Sequence, residues 1–244
     1  MGDVMLALAR TFDSLKSGRV WLYVLSPALL SLLLSLALAV WALGAVVQQM
    51  MAYPPMTTLS GWGLAWLAAA MAYLGGWMAI FAIAYLTASL LAAIVIMPLM
   101  LKHLAENEYS DVAAMGKDSF VAAAANSVLA SIFFVVAWVA TIPLWLIPGF
   151  SLVIPLLLMA WLNRRTFAYD ALSLHATDTE WASIRKERKA QLFMLGLTMA
   201  LLAHIPVVGL LVPALAALSF VHYGLEALRR SRGGAVVTIE GERV

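Results

Sequence analysis

The chain has 244 residues, of which 64% are hydrophobic and only 11% are charged. Because a typical soluble domain is about 25% charged, this composition excludes an ordinary soluble fold. The net charge of +2 is too small to indicate a nucleic-acid partner. The chain contains no cysteine, so the sequence does not indicate a redox compartment.

The charged residues leave three uncharged runs, over 20–101, 119–163 and 190–225. One helical crossing of a bilayer needs about 20 apolar residues, so these runs predict an all-α integral membrane protein. Before the first run, residues 3–16 place apolar side chains at helical spacing. This segment predicts an amphipathic helix in the membrane interface, with Asp3 as its N-cap.

The first uncharged run predicts two long transmembrane helices, over 20–47 and 62–97. A polar stretch containing Pro54-Pro55 separates them and predicts a loop. This loop has no lysine or arginine, so we expect it outside the cytoplasm.

The two later runs share the pattern I-P-x-x-x-L-x-x-P-x-L, which begins at Ile147 and again at Ile205. Proline breaks a helix, and each motif lies near the middle of its run. We interpret 120–162 and 190–228 as re-entrant helical hairpins that enter from the cytoplasm and return to it. The alternative is two kinked helices that each cross once, which would place the basic clusters on alternating sides.

With hairpins, all 15 basic residues lie on the cytoplasmic face. The prediction is a single membrane domain over 1–230, with a cytoplasmic segment at 163–189. The remaining 231–244 reads as a disordered cytosolic tail, and both termini are expected in the cytoplasm.

The hairpin tips are the first candidate functional elements. Backbone at a tip cannot face lipid, so it must be buried in protein or line a wet cavity. Each outgoing arm is expected to begin with free N–H groups and a positive dipole end, which together attract an anion. The tips place Pro148, Gly149, Pro206 and Gly209 as pore or gate candidates.

Basic residues next to the helices supply the other candidates. Arg164 and Arg165 follow the first hairpin and suit a cytoplasmic anion gate or a contact with acidic lipid. Lys16, Gly18 and Arg19 form a helix start suited to oxyanion binding. For both groups the alternative is a topological anchor, in which the cations only fix the orientation of the chain.

Catalytic motifs are missing from the sequence. It contains no HExxH, no P-loop, no nucleophile elbow and no paired-carboxylate motif within an apolar run. We therefore expect no enzyme activity, no cofactor and no metal site.

Several segments run in order along the chain: Ser17-Gly-Arg19, Tyr23-Val-Leu-Ser-Pro27, Met97-Pro98 and the two Ile-Pro motifs, with Thr166-Phe-Ala-Tyr-Asp170 between those motifs. Together they resemble the CysZ family of bacterial sulfate permeases, within the etoposide-induced-protein superfamily. The resemblance covers about residues 8–230. It implies a homo-oligomer in the bacterial inner membrane that takes up sulfate for cysteine synthesis. The family tends to carry two adjacent arginines after the glycine, whereas here Val20 follows Arg19.

The sequence thus predicts a permease or channel for sulfate or a related oxyanion. The partners would be the anion, the lipid bilayer and further copies of the chain, with no nucleic acid. The alternative is a non-transporting membrane scaffold or assembly protein with the same fold.

Overall fold

The structure, a computed structural model, describes residues 2–117, 120–147, 149–205 and 208–233. Over these residues it is helical and contains no strand. A five-residue π-helical stretch, Ala92–Ile96, connects the helix that ends at Leu91 to the one that begins at Met97. A 3-10 helix, Ile142–Leu146, follows the helix that ends at Ala140. The α-helices are α1 (Gly2–Ser14), α2 (Gly18–Trp41), α3 (Leu43–Met51), α4 (Met56–Gly61), α5 (Ala65–Leu91), α6 (Met97–Asn107), α7 (Phe120–Ala140), α8 (Phe150–Ser173), α9 (Asp178–Glu187), α10 (Lys189–Leu202) and α11 (Val208–Ser231).

The chain forms two compact units. The larger contains the residues up to Pro27 and those from Ser89 onward, and the smaller contains Ala28–Ala88. Helices α2 and α5 each begin in one unit and end in the other.

The smaller unit brings α3 beside α5 through two adjacent glycines. A Cβ on Gly75 would lie 2.5 Å from the Met50 side chain, and one on Gly76 would lie 2.8 Å from Leu43. The two glycines therefore leave room on α5 for the ends of the Met50 and Leu43 side chains. Outside this contact the unit is strongly apolar on its surface, as Trp41 shows with 90% of its area exposed.

Helix α11 forms the centre of the larger unit. Its side chains from Val212 to Leu225 are all buried, and α1, α6, α8 and α10 pack around it. The buried stretch includes two polar residues, Ser219 and His222, whose side chains lie within hydrogen-bond distance of Thr11 and Ser14.

The contact between α8 and α10 is the most extensive in this unit. It depends on Gly196, since a Cβ there would lie only 2.5 Å from the carbonyl oxygen of Ala160. The same contact carries a hydrogen bond, in which the Asn163 side chain donates to the carbonyl of Gly196 (3.3 Å).

Ion pairs join α1 to Arg188 and to residues near the end of α11. Arg10 donates to Glu226 (2.7 Å), and Asp3 accepts from Arg188 (2.7 Å) and also pairs with Arg230. Asp3 lies inside α1, and the N-cap prediction for it is wrong, because two arginines from distant segments hold its carboxylate. Burial alone would raise the pKa of Asp3, but the hydrogen bonds from the two arginines outweigh it and lower that pKa.

The basic residues at the end of α11 are also paired with carboxylates. Arg229 pairs with Asp111, and Arg232 donates to Glu180 at 2.8 and 3.1 Å. These pairs fix the polar loop after α6 and the start of α9 against α11. The predicted tail, 231–244, lies outside the described residues from position 234 onward.

Among the described residues, four helical segments are long and apolar enough to cross a membrane: Gly18–Trp41, Ala65–Asn107, Val121–Ala140 and Val208–Ser231. This confirms an all-helical membrane protein. Helix α10 has only 14 residues, or about 21 Å, against a hydrocarbon core of about 30 Å. It is too short to cross alone, and α7 and α8, like α10 and α11, pack against each other as neighbours along the chain.

Candidate anion-binding site

The predicted corner at Lys16, Gly18 and Arg19 is open to the surface. Gly18 begins α2, a Cβ added to it would meet nothing within 4 Å, and Arg19 is exposed. Lys16 is exposed too, but its ammonium group pairs with Asp13. One of the two predicted cations therefore already has a carboxylate partner, although an exposed pair of this kind contributes little free energy.

The first hairpin turn is built around Gly149. Its φ of 87° lies in the left-handed region, which glycine adopts without strain, and it is the N-cap of α8. The N–H of Phe150 donates to the carbonyl of Ile147 (3.1 Å), so this donor is not free, contrary to the sequence expectation. Pro148, the neighbouring pore candidate, lies outside the described residues.

The second turn depends on a close backbone approach at Gly209. A Cβ there would lie 2.4 Å from the carbonyl oxygen of Ala203. The Gly209 N–H donates to the carbonyl of Ile205 (2.8 Å), so this donor is also occupied. Pro206 lies outside the described residues. Both glycines thus have a structural role, and two of the expected free N–H groups are already satisfied.

Arg164 and Arg165 line a cavity of about 360 Å³, which we call the basic cavity. Three further cations line it, from α9 and from the start of α10. Its complete lining is Arg164, Arg165, Ala168, Tyr169, Trp181, Arg185, Lys186, Lys189 and Leu192. Neither Lys16 nor Arg19 is among these residues, so the structure does not join the predicted corner to this cavity.

The five cations of the basic cavity lack carboxylate partners among the described residues. This contrasts with Arg10, Arg188, Arg229 and Arg232 in the same unit, which are all paired. Unpaired like charges repel each other, and an anion bound among them would relieve that repulsion.

The guanidinium of Arg164 shows this electrostatic environment. Partial burial lowers its pKa, and the positive charges of Arg165 and Arg185 lower it further. Arginine stays protonated even so. The cluster therefore keeps its positive charge and attracts an anion.

An aromatic wall closes one side of the cavity. Tyr169 and Trp181 meet edge to face, with ring centroids 5.9 Å apart. The Arg185 guanidinium lies over the Trp181 ring at 6.0 Å from its centroid, at the outer limit of a cation–π contact.

The tip glycine and the arginine pair are far apart on one helix. Arg164 follows Gly149 by 15 positions on α8, which is about 22 Å along the axis. The predicted site residues therefore fall into separate places: the surface corner, the two turns and the basic cavity.

Sequence reasoning missed the contribution of Arg185, Lys186 and Lys189 to this cavity. The cluster reads as a solvated helix start that fixes topology. The only signal in the sequence was a second basic cluster 20 residues after Arg165, with Trp181 just before it. Nothing local shows that α9 and α10 turn back onto α8.

A second cavity of about 360 Å³ contains a buried carboxyl group. Asp170 lines it together with Lys102, Glu106 and His175. One oxygen of Asp170 accepts from the Ser127 hydroxyl (3.3 Å), and the other has no partner among the described residues. Burial raises the pKa of Asp170 to about 8, although the Ser127 hydrogen bond opposes this. Asp170 is therefore mainly protonated at neutral pH.

Comparison with known families identifies the chain. The family described as sulfate transporter CysZ/etoposide-induced protein 2.4 has a sequence model that matches residues 7–213. The chain belongs to this family. The match begins in α1 and ends in α11, and it includes all of the basic cavity. No curated protein and no solved structure matches the chain.

Membership of the CysZ/etoposide-induced protein 2.4 family confirms the resemblance predicted from the sequence. The family description, with the apolar helices, supports a membrane protein of a transporter family.

Proposed function

We propose that this protein is a permease or channel that lets sulfate, or a closely related oxyanion, enter across the bacterial inner membrane. The sulfate would supply sulfur assimilation and cysteine synthesis. The observation that carries the proposal is the basic cavity: five cations without carboxylate partners in the described part of a sulfate-transporter family member.

The basic cavity suits transient binding of a dianion. Arginine presents a planar set of donors that matches an oxyanion, and charge-assisted hydrogen bonds are stronger than neutral ones. Arg165, Arg185, Lys186 and Lys189 are exposed, so water and salt compete for them. A permeation site must bind well enough to admit the ion and weakly enough to release it, and exposed cations meet both needs.

The proposed membrane arrangement has two long crossings and two re-entrant hairpins. The long crossings are α2 and α5, and the hairpins are α7 with α8 and α10 with α11. The 14 residues of α10 favour a turn inside the bilayer for the second hairpin. For the first hairpin, the 21 residues of α7 extend about 31 Å, close to the hydrocarbon thickness of about 30 Å, so α7 would have to be tilted to keep its turn inside the membrane.

This arrangement places the basic cavity on the cytoplasmic side, with both termini. Helix α1 would lie in the interface, with the exposed side chains of Met5 and Phe12 toward lipid. The protein would act as a homo-oligomer. The Lys16, Gly18 and Arg19 corner would be a second contact for the anion.

Labelled sulfate uptake into liposomes tests the proposal. Reconstituted protein should take up sulfate down its gradient, without ATP or a proton gradient, faster than protein-free vesicles. Arg164→Gln with Arg165→Gln should slow uptake several-fold. Lys102→Gln removes an exposed cation outside the basic cavity and serves as the control.

Wild-type uptake equal to that of empty vesicles would refute the proposal. That outcome would favour the alternative of a non-transporting membrane scaffold. Equal uptake by the double variant and the control would remove the basic cavity from the pathway.

A further inference from the structure

The basic cavity is larger and more highly charged than one sulfate requires. Its volume of about 360 Å³ falls within the range of about 300–1,000 Å³ that is usual for sites of small organic ligands. A single tetrahedral anion would leave most of this space to solvent.

The cations of the cavity come from more than one helix. Arg164 and Arg165 lie on α8, Arg185 and Lys186 on α9, and Lys189 at the start of α10. A sulfate dianion neutralises two of the five charges, so three remain. A ligand with two linked anionic groups can contact cations from two helices at once.

The rest of the cavity lining is aliphatic or aromatic. Ala168 and Leu192 are buried, and Tyr169 and Trp181 are half-buried with their rings in contact. An inorganic anion gains nothing from such a wall. A ligand whose phosphates are joined to an organic portion gains contact area there, and a ring-shaped portion can pack on an aromatic face.

We propose that the basic cavity is a binding site for a ligand that carries two phosphate groups. The same chemistry is available from two sources: a free diphosphate compound, or the headgroup of a diphosphatidyl lipid. Basic pockets between membrane helices are known to hold such headgroups. The site does not depend on the transport function, because the inference rests on the shape and charge of the cavity alone.

Binding to the full-length protein tests this inference, with inorganic pyrophosphate as the free probe. In detergent, calorimetry should show pyrophosphate binding at least about tenfold more tightly than sulfate. The binding should weaken as the salt concentration rises, because the contacts are charge-assisted.

Single substitutions locate the site. Lys189→Gln and Arg185→Gln should each weaken pyrophosphate binding about tenfold. Lys102→Gln, an equal charge change outside the cavity, should leave it within about twofold. Arg185, Lys189 and Lys102 are all exposed and form no ion pair within the described chain, so these variants should fold.

Nanodiscs of phosphatidylcholine containing a few per cent diphosphatidyl lipid distinguish the two sources. Native mass spectrometry of protein from these discs should show the lipid retained, and lost in Lys189→Gln, if the ligand is a headgroup. Pyrophosphate binding without lipid retention would assign the site to a free diphosphate.

Two results would overturn the inference: sulfate binding as tightly as pyrophosphate with no lipid retained, or binding that is unchanged in both cavity variants. Sulfate uptake is measured separately, so either result would leave the proposed transport function standing. Failure of uptake would equally leave this binding site standing.

Discussion

The close contact between α8 and α10 makes Gly196 sensitive to any added side chain. In Gly196→Ala, the new Cβ would lie 2.5 Å from the carbonyl oxygen of Ala160. Atoms of this kind rarely approach within 3.0–3.4 Å, so the helices must separate by about 0.5–0.9 Å. The neighbour is a backbone oxygen, which cannot turn aside as a side chain can.

The expected cost follows from a comparison of two glycines. Overpacking a well-packed contact costs about 1–3 kcal/mol. Alanine also gains about 1 kcal/mol over glycine in a helix interior, which partly conceals this cost. Gly44→Ala supplies the control, because Gly44 is helical and a Cβ there meets nothing within 4 Å. The difference between the two variants therefore isolates the overpacking cost.

Thermal unfolding in detergent measures this difference, with tryptophan fluorescence as the signal. For a chain of this size, about 1–3 kcal/mol corresponds to a melting temperature about 2–12 °C lower for Gly196→Ala than for Gly44→Ala. Equal melting temperatures for the two variants would refute the close contact between α8 and α10.

Three further predictions concern single groups in the structure. Wild type should lose stability relative to Asp170→Asn as the pH rises from about 4 toward 8, because unfolding of the protein releases a proton from Asp170 over that range. If the difference in melting temperature between the two proteins did not depend on pH, it would contradict the burial of this carboxyl. The hydrogen bond from Arg232 is the main cause that lowers the pKa of Glu180 to about 2. Arg232→Gln should therefore reduce stability at pH 6, and the difference from wild type should shrink as the pH falls from about 4.5 toward 2. Melting curves at pH 3 and 6 check this prediction. Gly149→Ala should cost about 1–2 kcal/mol through its left-handed φ, measured by the same unfolding assay, and an unchanged melting temperature would contradict the turn.

The helical membrane class was predictable from the sequence because the signal is local. Long uncharged runs correspond to apolar helices whatever their neighbours are. The Ile-Pro motifs likewise predict an interruption, and α8 and α11 do begin just after Ile147-Pro148 and Ile205-Pro206. What the sequence does not contain is the depth of these turns in a bilayer.

The composition of the basic cavity was only partly predictable. Arg164 and Arg165 stand out as an adjacent pair after an apolar run. Lys189 does not, because its place in the cavity depends on how α10 packs against α8. That packing is set by Gly196 and other small residues, whose role appears only in three dimensions.

The long-range ion pairs were not predictable at all. Asp3 pairs with Arg188 and Arg230, which are 185 and 227 positions away in the chain. The sequence around Asp3 predicts that it caps α1, because the backbone N–H groups at the start of that helix are the nearest donors to its carboxylate. The tertiary fold offers two arginines, whose full positive charges attract the carboxylate in addition to donating hydrogen bonds to it.

Cysteine accessibility tests whether both hairpins enter and leave the bilayer on one side. The chain has no native cysteine, and Ile147 and Ile205 are both exposed beside the turns. Lys186→Cys provides a reference for the cytoplasmic side and Thr57→Cys for the opposite side. Each single-cysteine protein is treated with a membrane-impermeant thiol reagent added to one side at a time. With re-entrant hairpins, Ile147→Cys and Ile205→Cys react from the same side as Lys186→Cys, and more slowly with sulfate present. Reaction of either turn only from the side of Thr57→Cys would show that its segment crosses the membrane instead.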